Sequence, residues 1–542
     1  MDRHRVALRL RGGAGRILLF GLPLAYFGLF FAYPVGSILG RGLWPGGDLD
    51  LSPVGDVFGR DDLRGVLWFT VWQAAVSTLL TLVLAMPAAY VIARYRFRGR
   101  TLARALMTVP FVLPSVLVAS AFRALGFEES LLAVLLAHAF FNYAVVVRVV
   151  GGLWTHLDPR QEEAARVLGA GPLRAFMQVT LPALRPAIAA AASIVYLFSF
   201  TSIGVILILG GSRRATLETE IYRYSFNLLD LRTGAALSIV QLLAVIALLT
   251  VMWWFGRRHC AALSLASANE ITRRPTTRAD RTIVAVVLAS TAIFLAVPLM
   301  VLVVRSFDTP DGLGLDFYRG LGDVHAGSVL FVSPLEAIRN SVLYALATVG
   351  IAVVVGGAAA FAIARSRLGA ALDLALALPL GVSAVTVGFG FLISFDEGIL
   401  DLRASWAIVP IAHALIAIPF VVFVVVPVLQ SVDPRMRQAA AVLGASPRAV
   451  WREIDLPIAS RGMLVAAGFA FAVSLGEFGA TAFVSVARPD SPTLPVVIFR
   501  LLGTQGAENF GVAMAAGAIL MILATAAVLA IERVRVGEVG TF

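Results

Sequence analysis

The stretch DPRQEEAARVLGAGPLRAFMQVTLPA, from Asp158 to Ala183, returns 275 positions later as DPRMRQAAAVLGASPRAVWREIDLPI, from Asp433 to Ile458. The two blocks align without a gap, and each lies between apolar stretches long enough to cross a bilayer. The Asp that heads each block can cap a helix, and the Pro behind it suits a first turn. Helix-favouring residues follow, up to Leu168 and Leu443. Gly169 and Gly444 break the run, Gly171-Pro172 and Ser446-Pro447 make a turn, and a second short helix leads to Leu181-Pro182 and Leu456-Pro457. Each block therefore predicts a short helix–turn–helix held against the membrane. A polar block repeated at the same place in two membrane halves predicts a two-fold docking surface on a chain that works with partners.

Composition sets the class. Of 542 residues, 59% are hydrophobic and 14% charged, and the mean hydropathy is +0.88. A soluble protein carries about 25% charged residues, so the chain reads as an all-α, polytopic membrane protein. The net charge is +11 and every basic residue is Arg. Such a balance could indicate nucleic acid, but the Arg residues sit between apolar stretches, where they report topology, and no nucleic-acid partner is expected. Cys260 is the single cysteine and permits no internal disulfide. No Cys/His spacing of a zinc site occurs, so no metal site is expected.

A spanning helix needs about 20 mostly apolar residues. Stretches near 17–38, 66–93, 105–125, 130–150, 187–209 and 234–255 qualify in the first half, and 282–304, 337–364, 374–395, 404–428, 463–484 and 509–531 in the second. This gives about twelve spans in two halves, 1–255 and 282–542, joined by a polar, Arg-rich linker at 256–281. The stretch from residue 17 is long for a signal peptide and is read as the first span. Arg3 to Arg16, Arg94 to Arg104, the linker arginines, Arg533 and Arg535 all fall on one side, and Asp48 to Asp62 and Asp308 to Asp316 on the other. By the positive-inside rule the basic side is cytoplasmic. Both termini, the linker and both blocks are then cytoplasmic in a prokaryotic inner membrane. The loop at about 305–336 is external, and its role is unassigned.

The duplication reaches beyond the blocks. Ala137-His138-Ala139 matches Ala412-His413-Ala414, and the segment Ser199 to Gly204 matches Ser474 to Gly479. Ala93-Arg94 matches Ala364-Arg365, and Thr216-Leu217 with Ile221-Tyr222-Arg223 matches Thr493-Leu494 with Ile498-Phe499-Arg500. Six spans per half keep both halves in one orientation, a parallel repeat about an axis along the membrane normal.

Glu163-Ala164-Ala165, Gly169 and then Leu181-Pro182 resemble the EAA motif of ABC importer permeases, and Gln438-Ala439-Ala440, Gly444 and Leu456-Pro457 resemble a second copy. The resemblance implies the type I permease fold, with the coupling loops at about 158–183 and 433–458 docking in the ATPase. It also implies two copies of that ATPase, an external substrate-binding protein, and ATP and Mg carried by the ATPase rather than by this chain. The sequence agrees, because a Walker A loop needs Lys and this chain has none. The chain is thus expected to be no enzyme and to have no catalytic residues. The second copy departs from the motif in one respect: Gln438 stands where the first has Glu163.

A fused double permease is similar to those of the thiamine and iron(III) importers. Phe69 to Ala74, Leu136 to Asn142 and Thr216 to Tyr222 look most like the thiamine branch, which makes thiamine or a related cation the first expectation and iron(III) the second. Candidate pathway residues are Glu477, His138, His413, Asn142 and Ser202. A buried intramembrane acid is a functional hypothesis by default; Glu477 attracts a cation on one reading and packs helices, hydrogen-bonded, on the other. His138 and His413 line the pathway or make interhelical hydrogen bonds. Phe140, Phe141 and Tyr143 stack on a cation or pack the core. An ion-gradient-driven secondary transporter is the alternative class, and it gives the repeated blocks no role.

Overall fold

Long apolar helices with small residues on their packed faces dominate the chain. In lipid every backbone polar group must be satisfied within the protein, and helices do this segment by segment. The computed structural model describes residues 17–44, 47–127, 129–211, 213–258, 272–324, 330–366, 369–395, 401–485 and 488–536. Arg3 to Arg16, Cys260 and half of the expected linker, 259–271, lie outside the described residues.

Ten described helices are long and apolar enough to span. The first half supplies α1 (Leu19–Leu43), α2 (Asp61–Arg94), α3 (Leu131–Trp154), α4 (Pro172–Phe200) and α5 (Leu231–Met252). The second supplies α6 (Arg278–Arg305), α7 (Pro334–Ala364), α8 (Ile408–Ser431), α9 (Trp451–Gly476) and α10 (Ala507–Ile531). Four of the twelve expected stretches are broken. Residues 105–125 form Arg100–Val112 and Ser115–Ala124, bent by 99°, an eleventh span if counted as one. The break falls at Leu113, in extended conformation before Pro114, where proline disfavours helix in the preceding residue. Residues 374–395 also break, between Gly369–Gly381 and Ala384–Ser394, with the Ser383 hydroxyl capping the second piece at Val385 N, 3.0 Å away. Breaks also follow α4 at Thr201-Ser202 and α9 at Glu477-Phe478, each leading into a short helix, Ile203–Leu209 or Gly479–Val484.

The helices gather into two compact units that differ from the sequence halves. One comprises Gly55–Glu220 and Val240–Phe317; the other comprises Met1–Val54, Ile221–Ile239 and Tyr318–Phe542. In the first unit α2, α3 and α4 pack together, with alanines of α2 (Ala74, Ala85, Ala88, Ala89) fully buried. In the second, α7, α8 and α9 repeat the arrangement, with Ala345, Ala352, Ala359 and Ala360 buried on α7. Small residues let helix backbones approach closely where lipid provides no hydrophobic drive between helices.

Each half gives its opening helix to the other half's unit. The Tyr26 hydroxyl of α1 donates to the Ile411 carbonyl of α8 at 2.6 Å, and Arg41 donates to the Ile393 carbonyl at 3.1 Å. Gly390 makes the close approach possible, since a Cβ there would lie 2.9 Å from Pro34 Cβ. Reciprocally, α6 packs on α2 and on Ser115–Ala124, and Tyr143 of α3 shares a 2.8 Å hydrogen bond with Thr291 of α6. The described end of the linker is stitched into this same unit. Arg273 pairs its backbone with Arg94 and Arg96, and its guanidinium lies 5.3 Å over the Tyr95 ring. Tyr95 in turn donates to Asp280 at 2.6 Å. In the loop at 305–336, Asp308–Thr309 and Gly312–Leu313 form a small antiparallel hairpin ahead of the helix Asp316–Arg319.

Candidate functional site

The repeated blocks fold alike. Arg160–Val167 and Pro434–Val442 are short helices with no buried residue. Asp158 and Asp433 each accept the amide two residues on, from Arg160 and Arg435, at 2.9 Å. Each helix ends in a Schellman turn. Ala170 N donates to Ala165 O and Gly169 N to Arg166 O; Ala445 N donates to Ala440 O and Gly444 N to Ala441 O, all at 3.0–3.1 Å. The turn needs a left-handed residue, and Gly169 and Gly444 supply it with φ of +89° and +83°. A short helix follows, Pro172–Ala175 or Pro447–Val450. A widened π-helical turn then leads into the span, at Phe176–Thr180 or Trp451–Asp455.

The tips carry the chemistry. Val167 and Leu168 are each 88% exposed, and Val442 and Leu443 are 86% and 87% exposed. Two adjacent apolar side chains thus stand exposed at the end of each polar helix. Glu163 and Gln438 occupy matching exposed positions, as do Ala164 and Ala439, while Ala165 and Ala440 are half-buried. Leu181-Pro182 and Leu456-Pro457 open the straight α-helical part of each span after the π turn.

Behind the blocks lie two buried polar clusters. In the second half His413 is saturated. Its Nδ1 meets Ser474 Oγ at 2.8 Å, and its Nε2 meets Thr481 Oγ1 at 2.6 Å and Glu477 Oε2 at 3.2 Å. Ser474 donates onward to Thr348 at 3.2 Å. Glu477 also caps the helix after the break in α9: Oε1 accepts Ala480 N at 2.8 Å, and Oε2 accepts Thr481 N at 3.0 Å and the Thr481 hydroxyl at 2.8 Å. In the first half, Ser77 bonds His138 Nδ1 at 3.0 Å, while His138 Nε2, Asn142 Oδ1 and Ser199 Oγ are buried with no partner among the described residues. Ser202 and Ile206 stand at the places of Glu477 and Thr481, and neither supplies the missing acceptor or hydroxyl. Asn142 Nδ2 donates to the His138 carbonyl one turn earlier, at 3.0 Å.

The histidines thus each bond across helices within their own unit. Phe140 is buried against Phe122 and Phe294, and Phe141 packs with Phe111 and Phe198. A matched pair of hydroxyls completes the scaffold: Thr70 accepts Leu217 N at 3.0 Å and Ser341 accepts Leu494 N at 2.8 Å. Two further acids, Glu218 and Glu220, are buried beyond the first break, Glu218 accepting from Gln241 at 2.8 Å. The sequence reading names Glu477 as the intramembrane acid of the candidate pathway. The only mark on Glu218 and Glu220 was their place in the repeated Thr216-Leu217 segment, which in the second half carries no acid.

Comparison with known proteins defines the class. The family described as "Binding-protein-dependent transport system inner membrane component" matches residues 81–259, which include the first block. The chain is similar to the thiamine transport system permease protein of Brucella abortus (strain 2308), 26% identical over 93% of each chain. It is similar to the protein of that name from Escherichia coli (strain K12), 24% identical over 82% of this chain and 84% of that one. A sulfate transport system permease protein of Salmonella typhimurium (strain LT2) is 32% identical over 35% of this chain and 76% of its own length. The chain belongs to the family of binding-protein-dependent transport system inner membrane components. It is a multi-pass ABC importer permease of the type I fold, and membership implies an ATPase and a substrate-binding protein as partners.

Proposed function

We propose that this chain is the translocating subunit of an ATP-driven importer for thiamine or a closely related cation. In this reading a binding protein delivers substrate at the outer face. ATP closes a pair of ATPase subunits, which draws the two coupling helices together and rocks the halves outward-open. Hydrolysis restores the inward-facing state. ATP and Mg belong to the ATPase, and no covalent chemistry takes place on this chain. The arginine-rich loops and both termini are cytoplasmic.

The observation that carries the reading is the pair of matching tips, Val167-Leu168 and Val442-Leu443, each fully presented on a helix with no buried face. A secondary transporter has no use for them. Thiamine is favoured because the relatives named thiamine permeases align along nearly the whole chain. We assign Glu477, His413 and Thr481 the task of holding the break after α9, since their polar atoms are already engaged there. His138 and Asn142 retain open polar atoms and are the better candidates to meet water or substrate.

The test is reconstitution with the ATPase that co-purifies, measuring ATP hydrolysis and uptake with binding protein loaded with thiamine or with iron(III). Stimulation by the thiamine-loaded protein supports the reading. Stimulation only by the iron-loaded protein transfers the chain to iron(III) transport. Uptake driven by an ion gradient, with no ATPase bound, sinks the importer reading altogether.

A further inference from the structure

The coupling helices have no buried residue, so apolar packing does not fix their angle to the spans that follow. In each block one side-chain bridge crosses the turn. The Thr180 hydroxyl donates to Glu162 Oε2 at 2.9 Å, and Arg437 Nε donates to Asp455 Oδ1 at 2.8 Å. The positions are equivalent, Arg437 and Asp455 standing at the repeat positions of Glu162 and Thr180. The polarity is reversed. In the first block the acceptor is on the coupling helix and the donor on the span; in the second the donor is on the coupling helix and the acceptor on the span. Both span-side groups, Thr180 and Asp455, are buried. Both helix-side groups are half-buried and anchored a second time: Glu162 Oε1 accepts Arg166 at 2.8 Å, and Arg437 Nη2 donates to the Leu429 carbonyl at 3.3 Å.

We propose that Glu162–Thr180 and Arg437–Asp455 are positioning pairs that make each coupling helix one rigid lever with the π turn opening α4 or α9. Without the bridge the helix swings on its glycine turn and the partner's movement is absorbed there. A hydrogen bond to an ionised group is strong and directional, and either polarity serves, because the lever needs a closed pair and not a particular charge. The contacts to the ATPase lie elsewhere on the helix, at the exposed tip. The inference rests on the importer reading.

The experiment uses the full chain with its ATPase in proteoliposomes and compares substrate taken up per ATP hydrolysed. Thr180→Val, which removes only the hydroxyl, and Arg437→Ala are expected to keep the ATPase bound but lower uptake per ATP by about tenfold. Glu162→Arg alone is expected to do the same. The double change Glu162→Arg with Thr180→Asp builds the second bridge into the first block and is expected to return uptake per ATP to within about threefold of the native chain. A native ratio in Thr180→Val and in Glu162→Arg, or a double variant no better than Glu162→Arg alone, overturns the lever. Thr180→Val is close to isosteric and carries the test if the Arg437 variant fails to fold. Absence of a bound ATPase in the unmodified chain would instead mark failure of the importer reading itself.

Discussion

His413 and His138 stand at equivalent places in α8 and α3, yet one has both ring nitrogens engaged and the other only one. The difference traces to two side chains: Glu477 and Thr481 in the second half, Ser202 and Ile206 in the first. The repeated blocks behave differently, for there the backbone hydrogen bonds, the left-handed glycine and the exposure of each tip agree between copies. A turn is held by backbone geometry, which few residues can satisfy, so both copies keep it. A buried polar cluster is held by pairs, and pairs can be rebuilt, reversed or left partly open.

Four measurements would break or sharpen this contrast. The largest effect is expected at Glu477. Glu477→Ala strips two amides, a hydroxyl and His413 of their acceptor and should cost about 3 kcal/mol in thermal unfolding of the detergent-solubilised protein. Ser202→Ala should cost under about 0.5 kcal/mol; equal losses at the two positions would show that the clusters are not as different as their bonding. Next come the turns. Gly169→Val and Gly444→Val meet open space, so the penalty is the left-handed backbone alone, about 1–2 kcal/mol, with Asn better tolerated than Val. Reconstituted uptake should fall in both Val variants alike, and a fall in only one would mean that the blocks are unequal.

A smaller effect separates Thr481 from Ile206. Thr481→Val should cost about 1 kcal/mol in the same unfolding assay, since His413 and Glu477 both lose its hydroxyl. Ile206→Thr should cost under about 0.5 kcal/mol, its new hydroxyl giving His138 Nε2 the partner it lacks; a larger loss would place those two groups too far apart to bond. The smallest stability effect is at the tips. Leu168→Ser and Leu443→Ser, fully exposed, should shift stability by under about 0.5 kcal/mol while weakening co-purification of the ATPase. Undiminished co-purification in the double variant would remove the tips from the docking surface.

Much of the fold was legible because its signals are local. Apolar length marks a span, and a glycine followed by a Gly-Pro or Ser-Pro turn marks the end of the short helix in each block. The motif residues from Glu163 to Pro182 and from Gln438 to Pro457 could be picked out for the same reason. The brackets beneath them could not. Thr180 and Asp455 stand just before Leu181-Pro182 and Leu456-Pro457 without belonging to the motif, and Glu162 and Arg437 stand just before the motif's Glu163 and Gln438. The breaks inside 105–125, 187–209, 374–395 and 463–484 are not legible either, since hydropathy averages across a break.

The sequence alone determined the class of the protein, the repeat of its polar block, most of its long apolar helices and the glycine turn in each block, because each depends on residues close together in the chain. Tertiary structure alone decided that α1 and α6 pack in the units of the opposite halves, that Glu477 closes on His413 and a helix N-terminus, and that the two bridges run with opposite polarity. Those outcomes depend on which polar and small residues meet across helices, and that pairing is set by three-dimensional packing rather than by any local pattern.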